Sequence, residues 1–462
     1  MKQPPSSSPR GFVLVLVLVL SAVIMTVAVG FFNYFGSAVQ SQRHAVASAQ
    51  AIALAEAGID TAVYELNQNG GYLGESETAL GNGTFSVSIA NIDADTKRLT
   101  ATGFVPNSAR ATATKVIQAT VSINSSAVAF HYGIQIGQGG FDMSNSAKVI
   151  GNAYASGNII GTNSARIEGT AIVSGPAGII EGMDIDGNSW SHTIRGNSTV
   201  GGNATHSVLQ NTTVAGAVAA DSISNCSIGG AATYDTRSSC TVTGAVTTPN
   251  PNEFVPAEVL PLPISEEQID LWEAEAEAGG VLAGDQIYDT GTLTLGPKKI
   301  NGNLLLSNIA ELVITGTLWV TGDIRLSNNV IVRLDPSYGD SSGVIIAGVD
   351  ESESAGYIEI SNSAQALGSG AAGSYIMLLS QKEGTASNAI RTSNSSQAAI
   401  LYAGEGQVEV GNSAALKEIT AYKLRITNNA IVTYESGLQN AGFSNGPGGS
   451  WTFVPGTYAI TR

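Results

Sequence analysis

A short internal period constrains this chain more than any other feature. "NSTVGGNA" at Asn197, "NTTVAGAV" at Asn211, "NCSIGGAA" at Asn225 and "SCTVTGAV" at Ser239 align at steps of 14 without a gap. Val200, Val214, Ile228 and Val242 share one column, and Gly202, Gly216, Gly230 and Gly244 share another. Upstream, "SNSAKVIGNAYASG" from Ser144 matches "TNSARIEGTAIVSG" from Thr162, a step of 18. The Asn-centred motif returns at Asn308, Asn328, Asn362, Asn394, Asn412 and Asn428. Periods this short cannot hold helix pairs or propeller blades. They suit a parallel β-solenoid, each coil stacked on the last at about 4.8 Å. Aliphatics then point inward, Gly takes the corners needing positive φ, and Asn columns hydrogen-bond in ladders along the axis.

Composition agrees. Charged residues make up 13% of the 462, about half the roughly 25% usual for soluble proteins. A hydrophobic content of 43% argues against disorder. The net charge is −16 and no basic cluster occurs, which excludes nucleic acid as a partner. His44, His131, His192 and His206 show no metal-ligand spacing and read as surface or turn residues, with no metal or cofactor expected. Cys226 and Cys240 occupy one column of adjacent repeats. If one repeat is one coil, their Cα atoms lie about 4.8 Å apart, within disulfide range. If two repeats make a coil, they face opposite sides and stay thiols.

The N-terminus sets location. No charge occurs between Arg10 and Arg43, and Phe12 to Phe32 is about the 20 residues a spanning helix needs. A lone strand in lipid would leave backbone groups unpaired, so "VLVLVLVL" is expected as helix despite its alternation. Phe12, Val13, Leu14, Leu20, Phe31 and Phe32 are then lipid-facing candidates. Lys2 and Arg10 precede the span, which keeps the N-terminus cytoplasmic and puts the remainder outside a single-pass inner membrane anchor. A cleavable secretory signal would carry a shorter apolar region and a small-x-small site.

The join "PRGFVLV", a short basic leader meeting Gly11 and then Phe12, resembles the prepilin leaders of type IV pilins and type II secretion pseudopilins. The resemblance implies cleavage between Gly11 and Phe12 by a prepilin peptidase, methylation of the new N-terminus, and assembly with other pilin-like subunits. The family usually has Glu at the fifth mature position, where this chain has Leu16. Certain minor members lack it. "SAQAIALAEAGIDTAVYEL", with Ala55 to Gly58 at its centre, is similar to the PilX-type N-terminal region. The resemblance covers roughly residues 1–125.

Residues 38–66 read as a continuation of the helix. Ala47, Ala51, Leu54, Gly58, Ala62 and Leu66 make a small-residue face that suits either a filament core or the chain's own sheet. Gly70 and Gly71 end the helix, and alternation around Phe85, Val87 and Ile89 and around Val116 to Ile123 predicts a three- or four-stranded antiparallel sheet. Pro249 to Pro263 reads as a stiff linker, followed by an acidic helix capped by Ser265 and Gln268, ended by Gly279 and Gly280, and docked through Leu271 and Trp272. The expected organisation is a leader at 1–11, a helix at 12–68, a small β region at 69–128, a first β-helix part at 129–248, linker and helix at 249–290, and a second β-helix part at 291–462. The fold class is mainly β: a transmembrane helix with a small pilin-like α/β region, then a parallel β-helix.

Catalytic chemistry on a solenoid needs clustered carboxylates on one face. Asp184 with Asp186, Asp93 with Asp95, and Asp335 with Asp340 are the candidates, and none has an adjacent His or Arg cluster. "DIDGN" opens like a calcium loop, yet Ser189 stands where Gly is required and Arg195 where the closing Glu belongs. No GxxxxGK[ST] occurs. The sequence therefore points to a non-enzymatic envelope protein, a minor or tip-associated pilus or pseudopilus subunit displaying an adhesin-like β-helix. Its expected partners are the lipid bilayer, the peptidase and sister subunits. A face rich in Ser, Thr and Asn would suit glycans or a host or neighbour cell surface, or simply stay hydrated. The rival readings are a signal-anchored surface protein outside any filament and a β-helix polysaccharide lyase or hydrolase.

Overall fold

The computed structural model describes residues 10–68, 72–92, 96–123, 126–128, 130–444, 451–454 and 456–461. The leader before Arg10, the expected helix stop at Gly70 and Gly71, Asp93, Asp95 and the loop around 445–450 lie outside these residues. The chain forms two compact units. One comprises residues 1–65, 72–123 and 452–462. The other, residues 66–71 and 124–451, is inserted into it.

In the first unit, helix α1 runs unbroken from Arg10 to Gln68. The Val-Leu run at its start is helical, since a helix satisfies every backbone group within the segment. Strands β1 (Gly74–Leu80), β2 (Gly83–Asn91), β3 (Thr96–Val105) and β4 (Ala113–Ile123) form an antiparallel meander. Residues 459–460 add a further strand on β4, with Ile117 opposite Ile460. The small-residue face of α1 packs on this sheet. Ala51, Leu54, Ala55, Ile59 and Ala62 are buried, as are Phe85, Val87, Leu99 and Ala101. A Cβ on Gly103 would come within 2.1 Å of the Ala51 carbonyl oxygen, and one on Gly58 within 3.0 Å of Phe85. Of the two uses open to this face, the structure shows the chain's own sheet. Burying Leu99, Ile117 and Val121 completely contributes about 1.5–3 kcal/mol each.

The second unit is a three-faced parallel solenoid with one repeat per coil. On its first face Lys148 is level with Arg166, Arg166 with Asp184, Asp184 with Thr199, Thr199 with Thr213, Thr213 with Ser227 and Ser227 with Thr241. The coil thus shortens from 18 residues to 14 along the stack. Inward columns such as Ile180, Ile194, Leu209 and Ile223 fill a continuous apolar core.

The coil order does not follow the sequence. The chain enters the solenoid in the middle of the stack, at strand Ile134–Met143, and winds to one end at residues 236–247. It returns outside the stack, passes through helix α2 (Glu266–Ala278), re-enters at the opposite end at Val281, and winds back. The last coil lies directly on the first: Ile419 is level with Ile134, Leu424 with Phe141 and Val432 with Val149. The two solenoid parts expected from the sequence are therefore one stack. Its second segment starts at Val281 rather than 291, immediately after α2 ends, and residues 459–460 belong to the antiparallel sheet instead.

The corners differ from expectation in a second way. The glycines of the 14-residue repeat are not at positive φ. Asn197, Asn211, Asn225 and Ser239 are, at φ 61°, 47°, 47° and 53°. Asn tolerates the left-handed region because its short side chain bonds locally. The glycines answer to coil spacing: a Cβ on Gly216 would lie 2.3 Å from the Gly202 carbonyl oxygen. The Asn ladder is present at this same corner in the other coils, where Asn145 and Ser146, and Asn163 and Ser164, are also at positive φ. Asn163 donates to Asn145, Asn145 to Asn428, Asn428 to Asn412, Asn412 to Asn394, Asn394 to Asn362 and Asn362 to Asn328, all at 2.8–3.0 Å. It crosses the junction between the two segments unbroken.

Candidate functional site

Two features stand out, and the first is the opening of α1. Leu14, Leu20, Phe31 and Phe32 are between 58% and 74% exposed, and their large apolar neighbours through Phe35 are exposed too. The helix is long and apolar enough to cross a membrane, with a mean hydropathy of 2.8 in its best window and none of that window buried. It is a candidate single-pass membrane anchor. At Gly11, Phe12 and Val13 the backbone is helical; their side chains lie outside the described residues.

The second feature was not foreseen: an outward column of donors held under a strap. On the solenoid's second face Tyr402, Thr420, Gln135, Tyr154, Ile172 and Trp190 are successive in register. The segment after Pro249 runs lengthwise across them. Trp190 Nε1 donates to the Val255 carbonyl at 3.1 Å, and the Tyr154 hydroxyl to that of Glu258 at 2.7 Å. Gln135 Nε2 donates to Pro261 at 2.7 Å and the Tyr402 hydroxyl to Ile264 at 2.9 Å. The carbonyls are three residues apart. Three residues of extended Pro-rich chain cover about 9.3 Å and two coils about 9.6 Å, so the first and last steps of the strap keep pace with the stack. Beyond it, Trp272 of α2 is buried with Ile264, Ile346, Leu379 and Phe443 in a second apolar cluster outside the solenoid. Leu271, expected to dock beside it, is half exposed. It sits one residue along the helix and so faces away from the stack.

The sequence candidates for chemistry serve structure instead. Asp186 accepts from Arg166 at 2.8 Å and Asp184 from Thr199 at 2.7 Å, on an exposed face that also carries the Lys148–Glu168 pair. Asp335 caps a 3-10 turn by accepting from the Ser337 hydroxyl and amide, which in that order hold its carboxyl below the usual range, and Asp340 is an exposed turn residue. His206, expected at the surface, is wholly buried in the solenoid. Its ring lies 2.8 Å from Ser189 Oγ and 2.9 Å from Ser191 Oγ on the neighbouring coil. Burial lowers its pKa to about 3, so the ring is neutral. Glu418, equally buried, is raised well above the carboxylate range, even though Thr420 donates to it. Among the described residues no three His, Cys, Asp or Glu side chains converge as a metal site.

Cys226 and Cys240 lie on consecutive coils, 4.4 Å apart at Cα, and are joined by a disulfide. They sit at the stack's end, where Arg237, level with inward Ile223, donates to the Cys240 carbonyl.

No family model matches the chain, and no curated protein matches it. Among solved structures, the competence-associated pilin ComZ from Thermus thermophilus is similar at 12% identity, over 90% of this chain and 97% of that one, with a TM-score of 0.24. At that TM-score the likeness says nothing further about this chain.

Proposed function

We propose that this chain is a membrane-anchored structural subunit of the cell envelope that carries a β-solenoid outward, and that it enters a type IV pilus-like or pseudopilus-like assembly as a minor or tip-associated component. The observation that carries the reading is the division of labour along α1. Its first half exposes apolar side chains, while its second half is packed on a small antiparallel sheet. A mere anchor needs only the first half. A helix rigidly joined to a head is what transmits position from a membrane or filament to a displayed domain. The resemblance of "PRGFVLV" to prepilin leaders supports cleavage after Gly11, with the N-terminus on the cytoplasmic side. The role we propose is non-catalytic, supported by Asp186, Asp184 and Asp335 being committed to an ion pair, a hydroxyl and a cap.

Mass spectrometry of the N-terminus of protein from its native cells tests this. The expected chain begins at Phe12 with a methylated amine. A chain retaining Met1 or Lys2 leaves a signal-anchored surface solenoid and removes the filament reading.

A further inference from the structure

We infer that the two ends of the solenoid are closed to end-to-end association with a second copy of this chain, each by a cation at an inward position, Arg237 at one end and Lys298 at the other. One inward column runs through Ile159, Ile180, Ile194, Leu209 and Ile223, all fully or almost fully buried, and its next member is Arg237. Another runs the opposite way through Ile419, Leu401, Leu378, Ile345 and Leu318, equally buried, and its next member is Lys298. Each column turns from aliphatic to charged where the stack ends.

Both cations are held on the rim by backbone carbonyls. Arg237 Nε donates to that of Cys240 at 3.1 Å, and Nη1 reaches the Tyr234 hydroxyl at 3.4 Å. The disulfide ties Cys240 to Cys226 on the coil beneath, so the carbonyl that holds Arg237 is itself fixed. Lys298 Nζ donates to the Gly279 carbonyl, where α2 ends. Gly280 is the next position of that column. A Cβ there would lie 2.8 Å from Nζ, so the ammonium fills the room an inward side chain would take. Strand edges at the end of a sheet template the addition of another chain, and inward-pointing charge is one way of blocking it. A docked coil would strip water from each cation and lay apolar side chains against it, which is costly. The edge so guarded has the outline of one coil, and the partner it excludes is therefore a second copy. The inference holds whether or not the chain enters a filament.

The test measures molar mass by light scattering after gel filtration, on the full chain in detergent, for wild type, Arg237→Leu, Lys298→Leu and the double variant. Wild type is expected to keep one mass as concentration rises. Each single variant has one open end and is expected to pair there, raising the mass about twofold; the double variant, open at both, is expected to form rods that lengthen with concentration. Arg237→Lys keeps the charge and is expected to match wild type. So is Arg325→Leu, which adds the same apolar side chain at an exposed outward position of an interior coil. Circular dichroism establishes that each variant is folded, and the two ends test the idea independently. The proposal is overturned if wild type itself forms rods, if the folded double variant keeps the wild-type mass, or if Arg237→Lys or Arg325→Leu associates as the end variants do. It is overturned equally if neither end variant folds, since the cations would then be supports of their own coils.

Discussion

His206 and Glu418 are buried titratable groups of opposite sign, and together they set a pH window for the solenoid. The His206 pKa is lowered from about 6.5 to about 3, so its contribution is complete above pH 6.5 and is lost as pH falls toward 3. The loss is about 1.4 kcal/mol per pH unit and reaches roughly 5 kcal/mol in all. Ala220 occupies the same column one coil on, so His206→Ala fits the space. Urea midpoints taken between pH 7 and 5 should fall with acid in wild type and much less in His206→Ala; parallel curves would refute it. Glu418 works the other way: its raised pKa means stability falls as pH rises above the ordinary carboxylate range, and Glu418→Gln should flatten that alkaline limb. Neither residue is identifiable in the sequence, where a histidine between threonine and serine looks like surface. Inward facing depends on coil register, and register depends on the stack. Asn362 shows the legible side. It has φ 55°, accepts from Asn394 and donates to Asn328. Asn362→Gly keeps the backbone and loses the ladder, while Asn362→Ala loses both. The alanine variant should be less stable than the glycine variant by about 1–2 kcal/mol in chemical unfolding.

At the level of elements, α1 and the strap are held by different means. The helix depends on absent side chains: Gly103→Ala places a methyl against the Ala51 carbonyl and should cost about 1–3 kcal/mol, seen as a lower melting temperature of the head. The strap depends on single hydrogen bonds. Tyr154 both donates to Glu258 and accepts from the Leu260 amide, so Tyr154→Phe leaves two backbone groups without their partner. It should weaken the strap by about 1–3 kcal/mol. Faster limited proteolysis within 249–263 would report this, and an unchanged cleavage rate would contradict it. The helix, its small face, the meander and the Ser265 cap were all readable, because each is a local pattern of period 3.6 or 2. The strap was readable only as a stiff linker. Its partners Trp190, Tyr154, Gln135 and Tyr402 are far apart in sequence and become a column only when the coils are stacked.

For the whole molecule, short repeats announce a solenoid but not the order of its coils. Every coil offers similar edges, so the sequence does not say that the coil ending near Thr433 meets the one beginning at Ile134. The junction decides what the strap is for. Across it, strand Glu418–Ile426 runs parallel to Ile134–Met143, Ile431–Thr433 pairs with Lys148–Ile150, and the Asn ladder passes from Asn428 to Asn145. The inward residues on both sides, Ile419, Leu424 and Val432 against Ile134, Phe141 and Val149, are fully or almost fully buried. A seam so bonded does not need covalent continuity. If a protease site is built in at Pro251–Glu253 and the chain is cut there, the two fragments should co-elute in gel filtration. They should also melt in one transition, since the junction has the same ladders and core as any interior coil. Fragments that separate without denaturant would show that the strap, and not the seam, holds the stack together.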